Sequence, residues 1–383
     1  MISILALSLA LSPSPQQPAP AAAGEPSRVT VFASGTDGYH TFRIPAIVAA
    51  GGDLVALAEG RKGGRGDAGD IDLVMRRSSD GGATWSKLAV VWDDGDNTCG
   101  NPCLVVDRTS GAILLLATHN LGRDREHQII AGESEGTRTV WLLRSDDGGR
   151  TWSKPKEITA TAKRPDWTWY ATGPGAGIQL ERGEHAGRLV VPCDHIEKGS
   201  KHYHSHVIWS DDHGVTWQLG GSSPRHQVNE CEVVERADGC LLLNMRNYDR
   251  SQHTRQVCVS RDGGATWSDQ HHDPALVEPI CQASVRRIAW PDGDRAGLIA
   301  FSNPAHADKR ENLTLRLSLD DGATWIWSRC LEPGAAAYSC LVALPAVGAD
   351  PAGCPDIGCL FEAFGYRRIE LLRLPAADYA ALR

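Results

Sequence analysis

An eight-residue pattern, Ser-x-Asp-x-Gly-x-Thr-Trp, occurs five times and constrains the fold more strongly than any other feature of the chain. The copies begin 50 to 67 residues apart, a spacing typical of repeat architectures. They occupy residues 78–85, 145–152, 210–217, 260–267 and 318–325. Asp followed by Gly favours a tight turn, and Thr-Trp favours the start of a strand whose indole anchors a small sheet. Each copy is therefore predicted to be the turn of a β-hairpin.

One hairpin per repeat leaves room for a four-stranded sheet, and such sheets arranged radially form a β-propeller. Strand-like runs, for example residues 54–59 and 240–245, alternate with Gly, Asp and Pro turns, and no long amphipathic pattern interrupts them. Five copies fit six blades if residues 29–33 and 369–374 together complete the last blade and protect its edge. The expected fold is all-β, a six-bladed β-propeller.

The repeated aspartates are interpreted as turn-stabilising residues, because five equivalent carboxylates are poor candidates for one catalytic role. They are Asp80, Asp147, Asp212, Asp262 and Asp320. A repeated Ca²⁺ site is not expected either. Only one or two carboxylates recur per copy, whereas Ca²⁺ takes six to eight oxygen ligands.

The composition is that of an ordinary globular protein, with 42% hydrophobic and 22% charged residues among 383. The net charge of −8 argues against nucleic acid as a partner, because no basic field is available to bind phosphates. An anionic ligand would need a local cluster of arginines. No cofactor is expected, and the chain is expected to be a monomer.

Residues 1–27 are predicted to be a signal peptide and linker, followed by one catalytic domain at residues 28–383. A short apolar run and then Pro/Ala-rich sequence resemble a secretory signal, which predicts a secreted or periplasmic protein. The run carries no Lys or Arg before it, so a disordered leader is the alternative. At about ten residues it is too short to cross a membrane, and no other span is found. The 11 cysteines form no CxxC motif and leave the compartment open.

Several polar residues stand out from the strand-like background. Arg43 lies in the run Phe42-Arg-Ile-Pro45, and taken alone it would be a structural ion pair. Asp67 lies in a Gly-rich loop with Asp70 close by. The remaining outliers, in chain order, are Glu59, Arg61, Glu230, Arg246, Arg310, Tyr338 and Glu362.

Taken together and in order, the Phe-Arg-Ile-Pro motif, the five repeats and this polar set resemble the exo-α-sialidases (neuraminidases) of bacteria and animals. The resemblance covers roughly residues 28–375. The repeats alone are moderately specific, since other propellers carry them; the combination is highly specific.

The resemblance implies a site for a sugar carboxylate. Arg43, Arg246 and Arg310 match the three arginines that bind this group, which suits the planar guanidinium and its bidentate hydrogen bonds. Glu362 matches the acid that holds the first arginine. Glu59 and Arg61 match polar residues of the pocket, and sialylated glycans become the expected substrates.

The resemblance also assigns the chemistry. Asp67 matches the general acid/base, with Asp70 as the nearby competitor, Tyr338 matches the nucleophile, and Glu230 matches the base that activates it. Most glycosidases use a carboxylate nucleophile, and sialidases are an established exception. A carboxylate would be repelled by the substrate's own carboxylate, whereas a phenol is neutral until its proton is removed.

The sequence therefore predicts a retaining glycosidase that releases terminal α-linked sialic acid. Two alternatives stay open: a glycan-binding propeller without catalysis, and a trans-sialidase or intramolecular trans-sialidase that uses the same site. A binding protein could keep three arginines but has no need of Asp67, Glu230 and Tyr338 together. Sequence does not distinguish hydrolysis from transfer.

Two aromatic groups have open interpretations. Trp167, Trp169 and Tyr170 either line the pocket or pack a blade. His202, His204 and His206 alternate along one predicted strand face, a spacing that could bind a metal. A polar strand edge is the favoured interpretation, because the resemblance calls for no metal in catalysis.

Overall fold

In the computed structural model, which describes residues 26–344 and 354–383, these residues form six four-stranded antiparallel blades. The first strand among the described residues is β1 (Ser27–Ala33). Blade 1 contains β2 (Thr41–Ala50), β3 (Asp53–Arg61), β4 (Ile71–Ser78) and β5 (Ala89–Trp92). Blade 2 contains β6 (Thr98–Val106), β7 (Ile113–Asn120), β8 (Thr139–Ser145) and β9 (Lys156–Glu157). Blade 3 contains β10 (Trp167–Thr172), β13 (Leu189–Glu197), β14 (Tyr203–Ser210) and β15 (Gln218–Ser222).

The second half of the propeller repeats this arrangement. Two short strands, β11 (Gly175–Ala176) and β12 (Ile178–Gln179), pair with β6 and β13. Blade 4 contains β16 (Val228–Glu235), β17 (Leu241–Asn247), β18 (Thr254–Ser260) and β19 (Ser268–Val277). Blades 5 and 6 share the long strand β23 (Trp327–Ala343). Blade 5 adds β20 (Ser284–Ala289), β21 (Leu298–Pro304) and β22 (Glu311–Ser318), and blade 6 adds β24 (Ile357–Ala363), β25 (Arg368–Leu374) and β1.

Blade 6 is closed by strands from the two ends of the chain, as predicted. Strands β1 and β25 pair antiparallel, from Ser27 opposite Arg373 to Ala33 opposite Arg368. In blades 1–5 the repeated turn joins the third strand to the fourth. In blade 6 the third strand is β25 and the fourth is β1, so no turn joins them. The all-β propeller is confirmed, and this arrangement explains five repeats in six blades.

Each repeated turn also contacts the preceding blade, a contact that the repeat alone did not predict. The indole N–H of Trp152 in blade 2 points to the sulfur of Met75 in blade 1, at 3.4 Å. The glycine at the fifth position of the pattern is required by a close contact between blades. A Cβ on Gly214 of blade 3 would lie 2.4 Å from Leu114 of blade 2. Gly214 therefore allows a close approach, and its φ of 83° is one that larger residues disfavour.

Helices are few and short among the described residues. They are α1 (Glu126–Ala131), α2 (Thr159–Ala162) and two 3-10 turns at Ala376–Asp378 and Ala380–Leu382. Within the described ranges, no helix has both the length and the apolar character that crossing a membrane requires. The predicted leader lies almost entirely outside the described residues, which begin at Pro26.

Buried polar contacts join the inner strands around the propeller axis. Glu232 of β16 accepts hydrogen bonds from the Ser284 hydroxyl and the Val285 amide of blade 5, both at 2.8 Å, and from the Ala176 amide at 3.3 Å. Burial raises the pKa of Glu232 to about 7, although these donors and Arg286 oppose the shift. This carboxyl group therefore connects blades 4 and 5 and the short strand β11.

Candidate active site

A polar cavity of about 180 Å³ opens between the inner strands of the propeller. Eight of the nine predicted site residues line it: Arg43, Glu59, Arg61, Asp67, Glu230, Arg246, Arg310 and Tyr338. The ninth, Glu362, is 1% exposed and lies behind Arg43. The structure thus brings together residues from blades 1, 4, 5 and 6.

The Phe-Arg-Ile-Pro motif forms a bulge in β2 that directs Arg43 into the cavity. The pairing of β2 with β3 shifts register between Arg43 and Ala46. Ile44 has φ of 59°, a conformation that is strained for a β-branched residue. The backbone amide of Ile44 donates to Glu362 Oε1 at 2.9 Å. Pro45 fits a position that offers no N–H to the neighbouring strand.

Glu362 organises the base of the site. Its carboxylate accepts from Arg43 Nε at 2.6 Å and Nη2 at 3.3 Å, and from the Tyr338 backbone amide at 3.2 Å. A buried carboxylate with four donors, counting the amide of Ile44, is well compensated. One acidic side chain therefore orients both an arginine and the tyrosine strand.

Tyr338 and Glu230 form a short hydrogen bond. The Tyr338 hydroxyl donates to Glu230 Oε1 at 2.6 Å, and Arg246 Nη1 donates to Glu230 Oε2 at 2.5 Å and to the Tyr338 oxygen at 3.0 Å. Burial, followed by the charge of Glu230, raises the pKa of Tyr338 well above its usual value, although Arg246 and Arg310 oppose the shift. The phenol is therefore neutral at rest and already hydrogen-bonded to a base.

The three arginines surround Tyr338 but differ in their partners. The guanidinium groups of Arg43 and Arg310 lie 5.3 and 5.5 Å from the Tyr338 ring centre. Arg43 pairs with Glu362 and Arg246 with Glu230. Among the described residues Arg310 has no carboxylate partner; it donates to the Tyr366 hydroxyl at 3.2 Å and the Ile280 carbonyl at 3.3 Å. Arg310 thus keeps the most capacity for an anionic ligand.

Asp67 reaches the cavity from the Gly-rich loop. Its Oδ1 lies 2.7 Å from Arg61 and 3.9 Å from Arg43, yet its side chain is 62% exposed. Partial burial raises the pKa of Asp67, but the charges of Arg61 and Arg43 outweigh it, so the pKa lies below its usual value. The competing candidate, Asp70, pairs instead with Lys62 at 2.9 Å and does not line the cavity.

Glu59 and Arg61 support that loop from β3. Arg61 donates to Glu59 Oε2 at 2.6 and 2.9 Å and, through Nη1, to the carbonyls of Arg65 and Gly66. Glu59 Oε1 accepts the backbone amide of Asn101 at 2.8 Å. Glu59 and Arg61 therefore join the Gly-rich loop, which carries Asp67, to the cavity wall.

Sequence reasoning missed the opposite wall of the cavity. Arg138 is 3% exposed, and its guanidinium lies over the Trp169 ring at 4.1 Å. Asp194 is fully buried, and neither carboxylate oxygen has a hydrogen-bond partner among the described residues. Burial, followed by the charge of Glu230, raises the pKa of Asp194 well above its usual value. Glu126 of α1 and Tyr248 complete this wall.

The structure divides the aromatic group that the sequence left open. Trp169 lines the cavity, whereas Trp167 and Tyr170 are buried in the apolar core that includes β10 and β13. One sequence signal could have identified Asp194: it is a charged residue directly after the apolar run 189–193 of β13.

The chain is similar to known proteins over most of its length. Residues 52–348 match the family model for a BNR repeat-like domain. A sialidase of Micromonospora viridifaciens is 36% identical over 341 residues, covering 84% of this chain and 51% of the relative. A sialidase of Paraclostridium sordellii is 31% identical over 352 residues, covering 83% of each protein. The chain belongs to the sialidase family.

This sialidase chain spans about half the length of its Micromonospora relative. Among solved structures, the Hadza microbial sialidase Hz136 superimposes with a TM-score of 0.81 at 31% identity, over 92% of this chain and 69% of that one. A leech intramolecular trans-sialidase superimposes with a TM-score of 0.76 at 20% identity, over 93% of this chain and 71% of that one. The second likeness shows the shared fold.

Proposed function

We propose that this chain is a retaining exo-α-sialidase that releases terminal α-linked sialic acid from glycans. The observation that carries the proposal is the 2.6 Å hydrogen bond from the Tyr338 hydroxyl to Glu230, inside a ring of three arginines. A ligand-binding propeller could use the arginines alone. It has no use for a buried tyrosine joined to a base.

The arginines would bind the sugar carboxylate and set its orientation. Arg310 is free of a carboxylate partner among the described residues, and Arg43 and Arg246 keep their ion pairs while presenting further N–H groups. Bidentate arginine–carboxylate contacts fix both position and angle. The anomeric carbon, which carries this carboxylate, would then lie over the Tyr338 oxygen.

The first step forms a glycosyl–tyrosine bond. The Tyr338 oxygen attacks the anomeric carbon while its proton passes to Glu230, and the bond to the leaving oxygen breaks. Asp67 gives a proton to that leaving oxygen. Since its pKa lies below the usual value in the free protein, Asp67 would take up this proton once the bound carboxylate offsets the charges of Arg61 and Arg43.

The second step releases the sugar with its configuration retained. Asp67, now ionised, takes a proton from a water molecule as that water attacks the anomeric carbon. The glycosyl–tyrosine bond breaks, and the proton on Glu230 returns to the Tyr338 oxygen. Two displacements at the same carbon restore the α configuration.

The sequence-based expectation of secretion belongs to the same proposal. A signal peptide within residues 1–27 would deliver the enzyme to extracellular or periplasmic glycans. Sequencing the amino terminus of the protein from the culture medium or periplasm tests this. A mature chain that begins between residues 21 and 28 is expected, and a chain that stays inside with Met1 intact would contradict it.

The decisive experiment is NMR of the sugar released from 3′-sialyllactose. Appearance of the α-anomer before the β-anomer is expected. The β-anomer first would contradict the double displacement. An anhydro sugar or a new sialoside would keep the site but assign it to intramolecular or intermolecular transfer. No release, with sialic acid still bound, would identify a binding protein.

A further inference from the structure

A group of side chains that could hold a metal ion lies in blade 3, in the hairpin that joins β13 to β14. Glu197 ends β13, His202 precedes β14, and His204 is its second residue. One ligand atom of each side chain lies within 4.8 Å of the others. None of the three lines the catalytic cavity, so the group is outside the proposed glycosidase site.

The spacing of the donor atoms fits a small divalent cation. His202 Nδ1 lies 3.5 Å from Glu197 Oε2. Two ligands bonded to one tetrahedral Zn²⁺ at 2.0–2.2 Å are about 3.3–3.6 Å apart. These two atoms therefore already have nearly the separation that a shared metal requires.

His204 has the tautomer that a metal ligand needs. Its Nδ1 lies 3.1 Å from the backbone carbonyl oxygen of Ser223. A carbonyl only accepts hydrogen bonds, so Nδ1 carries the proton and Nε2 carries the free lone pair. Metal-binding histidines are typically oriented in this way, by a carbonyl or carboxylate on the second ring nitrogen.

The hairpin holds the group in place without a metal. The Glu197 amide donates to the His202 carbonyl at 3.2 Å, and the His202 amide donates to the Ser200 hydroxyl at 3.0 Å. The His226 ring stacks on His202 at 4.4 Å with an interplanar angle of 3°. The ligands therefore need little ordering when an ion binds.

We propose that Glu197, His202 and His204 bind a first-row divalent cation, Zn²⁺ being the best match to the donor set, with a water molecule as the fourth ligand. Two imidazoles and one carboxylate are a common set for Zn²⁺, and oxygen-preferring Mg²⁺ or Ca²⁺ would be excluded. His206, which the sequence grouped with His202 and His204, is fully buried with its Nδ1 3.0 Å from His195 and is not a member.

Such an ion would act on structure rather than chemistry. Tyr203, between the two ligating histidines, stacks on Tyr248 at 5.1 Å, and Tyr248 lines the catalytic cavity. Binding would fix the hairpin at the edge of that wall. We therefore expect Zn²⁺ to raise the melting temperature of the protein.

The test uses tag-free full-length protein stripped with EDTA, titrated with Zn²⁺ by calorimetry and with Co²⁺ by visible absorption. One ion per chain, a higher Tm and a tetrahedral Co²⁺ spectrum are expected. His202→Ala and Glu197→Gln change exposed side chains and should each weaken binding at least tenfold. His204→Asn should do the same if the variant folds. His271→Ala removes an exposed histidine of blade 4 and should change nothing.

The proposal is overturned if the stripped protein binds no Zn²⁺, or if His202→Ala and Glu197→Gln bind it as tightly as the wild type does. Sialyllactose turnover is measured on the same samples. Because the ligands lie outside the cavity, turnover without Zn²⁺ binding would reject the metal site alone. Zn²⁺ binding without turnover would reject the glycosidase alone.

Discussion

The five repeated turns and the catalytic cavity use carboxylates in opposite ways. Asp262 in a repeated turn accepts from the hydroxyls of Ser260 and Thr266 and from the Thr266 amide, all within seven residues. In the cavity, Glu362 bonds Arg43 from 319 residues away, and Glu230 bonds Tyr338 from 108 residues away. The turn carboxylates are satisfied locally, whereas Glu362 and Glu230 of the cavity depend on partners brought together by the closed ring.

This difference separates residues that build the fold from residues to which we assign chemistry in the proposed mechanism. A locally satisfied carboxylate can recur in every blade, because its partners travel with it in the sequence. Glu362 and Glu230 each have a partner from another blade, and such an arrangement occurs at only one place in the ring. Mutations in the two regions should therefore affect different properties, and the following predictions test that separation in order of expected size.

Tyr338→Phe should reduce turnover of sialyllactose by about 10³–10⁴-fold, because the nucleophile and the proton for Glu230 are both lost. The matched control is Tyr39→Phe. Tyr39 also donates to a carboxylate, Asp72, at 2.6 Å, but it lies outside the cavity. Steady-state kinetics of both variants should show near-normal turnover for Tyr39→Phe. An equal loss of turnover in both variants would contradict the assignment of Tyr338 as the nucleophile.

Asp67→Asn should lower the turnover of sialyllactose by about 10²–10³-fold, because a sugar leaving group needs a proton. An aryl sialoside has a good leaving group and should lose much less. The ratio of the two rates measures the acid role directly. Asp70→Asn is the control from the same loop. An equal loss of turnover in that variant would contradict the choice of Asp67 over Asp70 as the general acid.

Glu232 is a buried carboxyl group that lies outside the cavity, and Glu232→Gln should change the pH dependence of folding stability. Folding raises the pKa of Glu232 from 4.5 to about 7. Between these two pH values the native protein keeps the Glu232 proton, whereas the unfolded chain loses it. The carboxyl group therefore costs stability as pH rises from about 4.5 to 7, by up to about 3 kcal/mol, and no more above that. Urea unfolding at pH 5 and 8 should show that the variant gains relative stability at pH 8. No pH-dependent difference would show that the carboxyl is not shifted.

Arg310→Ala should weaken substrate binding by about 1.5–3 kcal/mol, seen as a higher KM, with little change in Tm. Its described partners are a phenol and a carbonyl, so its loss leaves no buried charge unpaired. Arg43→Ala removes the partner of Glu362 and should lower both binding and Tm. Equal Tm losses in the two variants would contradict the difference in their partners.

Asp262→Ala should cost about 1–2 kcal/mol of folding stability and leave KM and turnover unchanged. Three hydrogen bonds of one turn are lost, but the turn lies away from the cavity. Asp262→Asn keeps one acceptor oxygen and should lose less folding stability than Asp262→Ala does. A loss of activity without a loss of stability would mean that the turns and the cavity are coupled.

The fold was predictable because its signal is local. Asp, Gly and Trp recur at fixed positions within eight residues, so the turns and the number of blades can be read without knowing any long-range contact. The contacts of the indole with the neighbouring blade were not predictable, for the complementary reason. Trp152 meets Met75 of another blade, and no spacing within the repeat contains that partner.

The cavity was predictable only where a family motif marks it. Arg43 and Tyr338 were recognised by resemblance, and their roles remain predictions. Arg138, Asp194 and Glu126 were missed, because each acquires its position from a different element: β13 for Asp194, helix α1 for Glu126, and the segment before β8 for Arg138. The strain at Ile44 is likewise invisible in sequence, since it arises where β2 meets Glu362.

The pairing of β1 with β25 has a consequence for how the protein is made. Thr30 and Glu370, which face each other in that pair, are 340 residues apart. At a translation rate of 5–20 residues per second, a ribosome needs about 20–70 s to deliver the second after the first. During that interval β1 lacks its partner β25 on the growing chain, so a strand that is synthesised early is among the last to be paired.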